Sequence, residues 1–106
     1  MRVEFTKDFE KSVSKLSGKM KDSLVMVIQE VAAAKTIDEI KNCKPIVNAP
    51  SIYRIRIGDK RAFFHYGIIV EEGMVTFIRL LSRGQAYNKE NEKYLKRYSK
   101  SAHRSS

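Results

Sequence analysis

The sequence predicts one α+β domain: an N-terminal antiparallel helical pair packed on a three- to four-stranded antiparallel sheet, with a short C-terminal helix. Three observations carry this. Apolar residues recur at helical spacing up to Ala34, alternate with period two from Ile52 to about Ser82, and return to helical spacing at Tyr94, Leu95 and Tyr98. A chain of 106 residues holds one hydrophobic core and no second domain.

Each element has a local cause. Arg2 to Phe5 is a short extended start, after which Thr6 caps a helix with Asp8 in its first turn and Phe9, Val13 and Leu16 along one stripe. Ser17 and Gly18 break that helix. A second, from about Lys19 to Ala34, presents Met20, Leu24, Val27, Ile28 and Val31 on one face, so the two pair antiparallel across a tight turn. Thr36 to Ile40 reads as a capped helical turn, and Pro45 and Pro50 bracket a loop. Ile52 to Ile57 is the first strand of a meander, and Gly58-Asp59 is its turn. Arg61 to Val70, rich in aromatic and β-branched residues, is the second; Glu71-Glu72-Gly73 turns into the third, Met74 to Ser82. Lys89 to Ser99 closes the domain as a helix, with all helices on one sheet face. The domain spans residues 1–98, and the basic, Ser-rich residues 99–106 form a disordered tail.

Composition narrows the function. Twenty-one Lys and Arg against twelve Asp and Glu leave a net charge of +9, a balance that favours polyanions such as nucleic acid, or an acidic protein. No apolar run is long enough to span a bilayer. The opening residues MRVEFTKDFE lack the apolar core of a secretory signal, and the single cysteine, Cys43, fits a reducing cytoplasm. Cys43 reads as a small hydrophobe near the start of a loop rather than a nucleophile.

The charge is not spread evenly. In YRIRIGDKR, Ile55 and Ile57 face one side of a strand while Arg54 and Arg56 face the other, and Arg61 shares its side of the next strand with Phe63 and His65. On the third strand the polarity is ambiguous and a bulge would shift it. If Arg79 and Arg83 fall on the arginine side, five guanidinium groups converge on one open sheet face. Lysines fill the helices, at Lys7, Lys11, Lys15, Lys19 and Lys21, whereas the strands use the rigid fork of arginine, which matches phosphate oxygens bidentately. A solvated face with some arginines paired to carboxylates is the competing reading.

The segments YRIRIGDKRAFF and VTFIRLLSRGQAY, with FTKDFEKSVSKL and IDEIKN upstream, resemble the RelE/ParE superfamily of toxins from type II toxin-antitoxin systems. The likeness covers most of residues 2–90. It implies a two-helix, antiparallel-sheet fold whose concave face binds RNA. RelE-like members are endoribonucleases that enter the ribosomal A site and cut the exposed mRNA codon. By position, the resemblance implies an active site of Arg54, Arg56, Arg61, Arg83 and Tyr87, with Arg79 joining the RNA-binding arginines, and implies neither a metal nor a cofactor. Where many relatives carry a histidine, this chain has Ser82, and NAPSIY replaces a common glycine-aromatic turn.

The chemistry also stands without the family. When a 2′-hydroxyl attacks the neighbouring phosphate, negative charge builds on the phosphoryl oxygens, and fixed guanidinium groups stabilise it. Arg61 and Arg83 are the expected clamp, and Tyr87 stacks on a base or assists proton transfer. Arginine is not a base, so Arg54 and Arg56 do not move the proton. His65 has a suitable ordinary pKa, although a histidine beside aromatics is more often structural.

Three functions follow as alternatives: a ribosome-dependent mRNA endoribonuclease, a ParE-like toxin that poisons DNA gyrase, or a degenerate member that only binds its antitoxin. The expected partners are a cognate antitoxin, forming a toxin-antitoxin hetero-oligomer, and the ribosome with its mRNA. The resemblance, together with the positive charge, implies that an acidic or amphipathic antitoxin helix covers the arginines or displaces the closing helix.

Overall fold

A computed structural model describes residues 1–69 and 72–105. The chain runs β1 (Arg2–Phe5), α1 (Lys7–Ser14), α2 (Gly18–Ala33), a 3-10 turn (Ile37–Glu39), β2 (Cys43–Pro45), β3 (Ile52–Ile57), β4 (Lys60–Ile69), β5 (Glu72–Ser82), α3 (Arg83–Ala86) and α4 (Lys89–Ser105). The α+β class and the paired N-terminal helices agree with the sequence reading.

Caps place the helices. Thr6 accepts a hydrogen bond from the Phe9 N–H and Ser17 from the Met20 N–H, each satisfying an N–H that the first turn leaves orphaned. Ser17→Ala should therefore destabilise the protein by about 1 kcal/mol, read as a lower urea midpoint at unchanged slope. The Glu39 carboxylate accepts from the Thr36 N–H at 3.1 Å and also from the Lys35 N–H, closing the 3-10 turn.

The sheet departs from a pure meander. Its order is β1-β5-β4-β3-β2, and β1 lies parallel to β5, so it has five strands and is mixed. The added edge strand comes from Cys43–Pro45, expected as loop; a proline is tolerated there because an edge strand need not donate on its outer side. Ile57 and Lys60 pair across the two-residue Gly58-Asp59 turn, with Gly58 at φ 60°. The turn expected at Glu71-Glu72-Gly73 involves residue 71, outside the described residues, while Glu72 and Gly73 already belong to β5.

Two cores sit on opposite sheet faces. Ile55, Ile57, Ala62, Phe64, Val75, Phe77 and Leu80 pack against Phe9, Leu24 and Val31 of the helical pair. Phe77 is the hub of this core, with ring centroids 5.2 Å from Phe9 and 5.6 Å from Phe64. On the other face Ile52, Phe63 and Ile78 pack against Leu95, Tyr94 and Tyr98 of α4. The helices therefore sandwich the sheet instead of sharing one face. The second face is apolar at its centre as well as basic, and α4 covers those apolar residues.

A register shift at Phe63/Phe64 resolves the ambiguous third strand. Phe77 and Leu80 face the helical pair, while Ile78 and Arg79 both turn to α4. The closing helix is also longer than expected. It continues past Tyr98 through residues read as tail, and buried Ser99 donates its hydroxyl to the Pro50 carbonyl at 2.5 Å. Among the described residues no helix is long and apolar enough to cross a membrane.

Candidate functional site

Alternation along β3 sends Arg54 to the α4 face, and the pairing of Arg56 with Arg61 sets two cations directly opposite each other. Burial separates these arginines. Arg54 is 8% exposed and Arg61 6%, whereas Arg56 lies open to solvent.

A buried guanidinium ordinarily has a carboxylate partner, because its desolvation is otherwise uncompensated. Here it does not. The ion pairs among the described residues are Arg79–Glu90 at 3.8 Å and Lys96–Glu92 at 3.9 Å, and neither includes Arg54 or Arg61. Arg54 Nη1 donates to the Tyr87 phenol oxygen at 3.1 Å. Arg61 Nη1 donates to the Gly58 and Lys60 carbonyls at 3.0 and 2.9 Å, folding back over the hairpin turn. Nε of each is enclosed and has no hydrogen-bond partner.

Tyr87 arrives by a separate route. Ser82 ends β5 and caps α3, its Oγ accepting from the Gln85 N–H at 3.4 Å, and the Arg83 N–H donates to the Asp59 carbonyl at 2.8 Å. This ties α3 to the β3–β4 turn and delivers Tyr87 over the two buried arginines. Ser82 thus has a structural task in shaping the turn that carries the tyrosine. The Tyr87 phenol is more than half exposed, and its pKa is held below the usual tyrosine value, foremost by the Arg61 guanidinium; partial burial opposes this, and Arg54 adds to the lowering.

Of the residues singled out in the sequence, the fold gathers Arg54, Arg61 and Tyr87 into one cluster. Arg56 and Arg83 are exposed and without a carboxylate partner among the described residues. Arg79 is placed elsewhere: its guanidinium lies 4.3 Å from the Tyr94 ring centroid and pairs with Glu90, both on α4. It fastens the helix to the sheet. His65 likewise lies against α4, its ring 5.9 Å from that of Tyr98. Cys43 is half buried, and burial pushes its thiol up to about 11, so it stays protonated at neutral pH.

A cavity of about 360 Å³ opens beside the Arg54–Tyr87 pair, bounded also by Lys44, Phe63, Asn91 and Leu95. Sequence reasoning missed Lys44 and Asn91. Lys44 is directly opposite Arg54 across the β2–β3 pair, a register hidden while Cys43–Pro45 read as loop. Asn91 is fixed by Asn88, whose side chain accepts from the Asn91 N–H at 2.8 Å at the start of α4; the Asn88-Lys-Glu pattern before the closing helix was the available signal. Among the described residues no group of three or more His, Cys, Asp or Glu is placed to hold a metal ion.

No family model matches the sequence. It is 29% identical over 89 residues to Toxin RelE3 of Methanocaldococcus jannaschii, covering 83% of this chain and 97% of that protein. The fold matches the crystal structure of the RelB-RelE antitoxin-toxin complex from Methanococcus jannaschii with a TM-score of 0.64 at 24% identity, over 79% of this chain and 94% of that one. The archaeal RelE-RelB complex from Pyrococcus horikoshii OT3 gives 0.63 at 20% identity, over 80% and 97%. A mutant of the E. coli toxin RelE in the free state gives 0.59 at 17%, over 87% and 90%.

Proposed function

We propose, from its likeness to RelE toxins in sequence and fold, that the chain is a RelE-like toxin of a toxin-antitoxin pair, acting in the cytoplasm as a ribosome-dependent, metal-independent mRNA endoribonuclease. The observation that carries this reading is the pair of buried guanidiniums, Arg54 and Arg61, which have no carboxylate partner among the described residues and flank a tyrosine of lowered pKa. Two desolvated cations without counter-ions are an anion site, and their planar forks suit a phosphate.

In the reaction, the 2′-hydroxyl loses its proton to the Tyr87 oxygen and attacks the adjacent phosphorus. The bond from phosphorus to the 5′-oxygen then breaks, leaving a 2′,3′-cyclic phosphate on one fragment and, once the leaving oxygen is protonated, a 5′-hydroxyl on the other. Arg54 and Arg61 hold the charge that develops on the non-bridging oxygens, in a setting where water screens it little. Arg56 and Arg83, at the exposed rim, steer the RNA backbone.

The protein's partner in this reading is an antitoxin; two of the structural relatives are themselves complexes of RelE with RelB. An acidic segment is the complement of a chain of net charge +9. Purified protein added to a translating extract should produce discrete cuts in mRNA at ribosome-occupied codons, mapped by primer extension. Intact mRNA together with inhibited gyrase supercoiling would overturn the nuclease reading in favour of gyrase poisoning.

A further inference from the structure

When the bond from phosphorus breaks, the 5′-oxygen departs as an alkoxide unless it is protonated, and a positioned acid contributes about 10² to 10⁴ in rate. Few groups around the site can supply that proton. Guanidinium is not deprotonated in proteins, which removes Arg54 and Arg61, and Tyr87 is engaged with the 2′-hydroxyl. Ser82 donates its hydroxyl to Gln85 Oε1 at 3.2 Å, and Glu92, on the wall of the cavity beside Arg54, is paired with Lys96 at 3.9 Å. Asn88 and Asn91 bring only amides to that wall, and His65, set against Tyr98, does not border it.

Lys44 is left. It stands directly opposite Arg54 in the β2–β3 pair, so the two side chains leave the same sheet face with Cβ atoms about 4.5–5.5 Å apart. Lys44 borders the same cavity as Arg54 and Tyr87, is exposed, and has no ion-pair partner among the described residues. The strand order places Arg61, on β4, to one side of β3 and Lys44, on β2, to the other. Tyr87 bridges the first side, reaching from Arg61 to Arg54, whose Nη1 lies 3.1 Å from the phenol oxygen. A phosphate gripped at Arg54 therefore has the tyrosine toward β4 and the lysine toward β2. In-line displacement asks for that opposed placement, because the attacking and leaving oxygens lie on opposite sides of the phosphorus.

We propose that Lys44 is the general acid of the cleavage, its ammonium giving a proton to the 5′-oxygen as the bond from phosphorus breaks. The proposal rests on the endoribonuclease reading of the same site. The Tyr87 oxygen takes the 2′-hydroxyl proton, the 2′-oxygen bonds to phosphorus, and the electron pair of the breaking bond goes to the 5′-oxygen. The Lys44 proton completes the 5′-hydroxyl. The site is left with a neutral amine and a neutral phenol where it began with ammonium and phenolate, and proton exchange with water restores both. Arginine at this position could hold the phosphate but could not give up a proton, so the lysine has a task its cationic neighbours cannot share.

Single-turnover cleavage on programmed ribosomes tests this with two mRNAs, one natural and one carrying sulfur in place of the bridging 5′-oxygen at the cut position. A thiolate leaves without a proton, so the sulfur mRNA needs no acid. Lys44→Ala should cut the natural mRNA about 10²-fold more slowly than the parent, and the sulfur mRNA within about threefold of it. Lys44→Arg keeps the charge without a proton to give, and should match Lys44→Ala. Equal losses on the two mRNAs, or recovery of the natural rate in Lys44→Arg, would overturn the proposal and leave Lys44 a phosphate contact. Parental cutting of the sulfur mRNA shows in the same assay that a variant is folded. A parent that cuts mRNA while both variants cut it equally fast keeps the nuclease reading and loses this acid; a parent that cuts neither mRNA removes both.

Discussion

Arg61→Ala should abolish mRNA cleavage while leaving the protein folded. Fixed donors aimed at developing charge are worth roughly 10² to 10³ in rate, so single-turnover cleavage on programmed ribosomes should fall by about that factor. The effect on stability is smaller because two contributions oppose. Nη1 of Arg61 braces the β3–β4 turn through the Gly58 and Lys60 carbonyls, and losing those bonds costs about 1 kcal/mol each. Against that, the substitution removes a buried cation with no carboxylate partner among the described residues, set directly opposite Arg56, and so relieves both desolvation and repulsion. Urea denaturation should place the variant within about 1 kcal/mol of the parent. Arg61→Lys keeps the charge but not the planar fork, and should recover only part of the rate. Cleavage by Arg61→Ala at the parental rate would remove this residue from the phosphate clamp.

The opposing demands on Arg61 also show why some of the site was legible in the sequence and some was not. Period-two alternation through YRIRI separates Ile55 and Ile57 from Arg54 and Arg56 on geometry alone, and the two-residue turn fixes Arg61 opposite Arg56. Local chemistry decides those positions. The facing of Arg79 depends on a register shift between β4 and β5, which the ambiguous polarity of the third strand allows but does not locate. The shift turns Arg79 to the same sheet face as Arg54, and there α4 meets it through Tyr94 and Glu90.

The covering of the arginine face was hidden for a related reason. Tyr94, Leu95 and Tyr98 announce an amphipathic helix, but not which sheet face it seeks. Ile52, Phe63 and Ile78 decide that, and they lie on three different strands whose alignment is a tertiary fact. The short β2 strand shows the same limit. Its three residues have little strand signal of their own, so Lys44 became a neighbour of Arg54 only through pairing.

Tyr87→Phe should cut the cleavage rate by roughly 10²-fold and flatten its dependence on pH, the change expected when the group that receives the 2′-hydroxyl proton is deleted. A free tyrosine loses its proton at about pH 10. Near Arg61 and Arg54 the phenolate is favoured, so the folded-state pKa lies below that value. In the unaltered protein the rate should therefore climb as pH rises and level off at a pH below 10, where Tyr87 has become the base. The sign of the linked stability follows from the same shift. With its pKa lowered by folding, Tyr87 contributes stability that is present above the unfolded value and lost as pH falls through the folded one. That contribution is small because the side chain is 59% exposed, and the rate profile is the sharper readout. Arg54→Ala separates the base from its electrostatic tuning. It should lower the rate and move the rising limb toward higher pH while retaining it, since Arg54 supplies one of the two cations that depress the phenol. A Tyr87→Phe variant that keeps the parental rising limb would assign proton transfer to another group and leave Tyr87 only a role in holding the RNA.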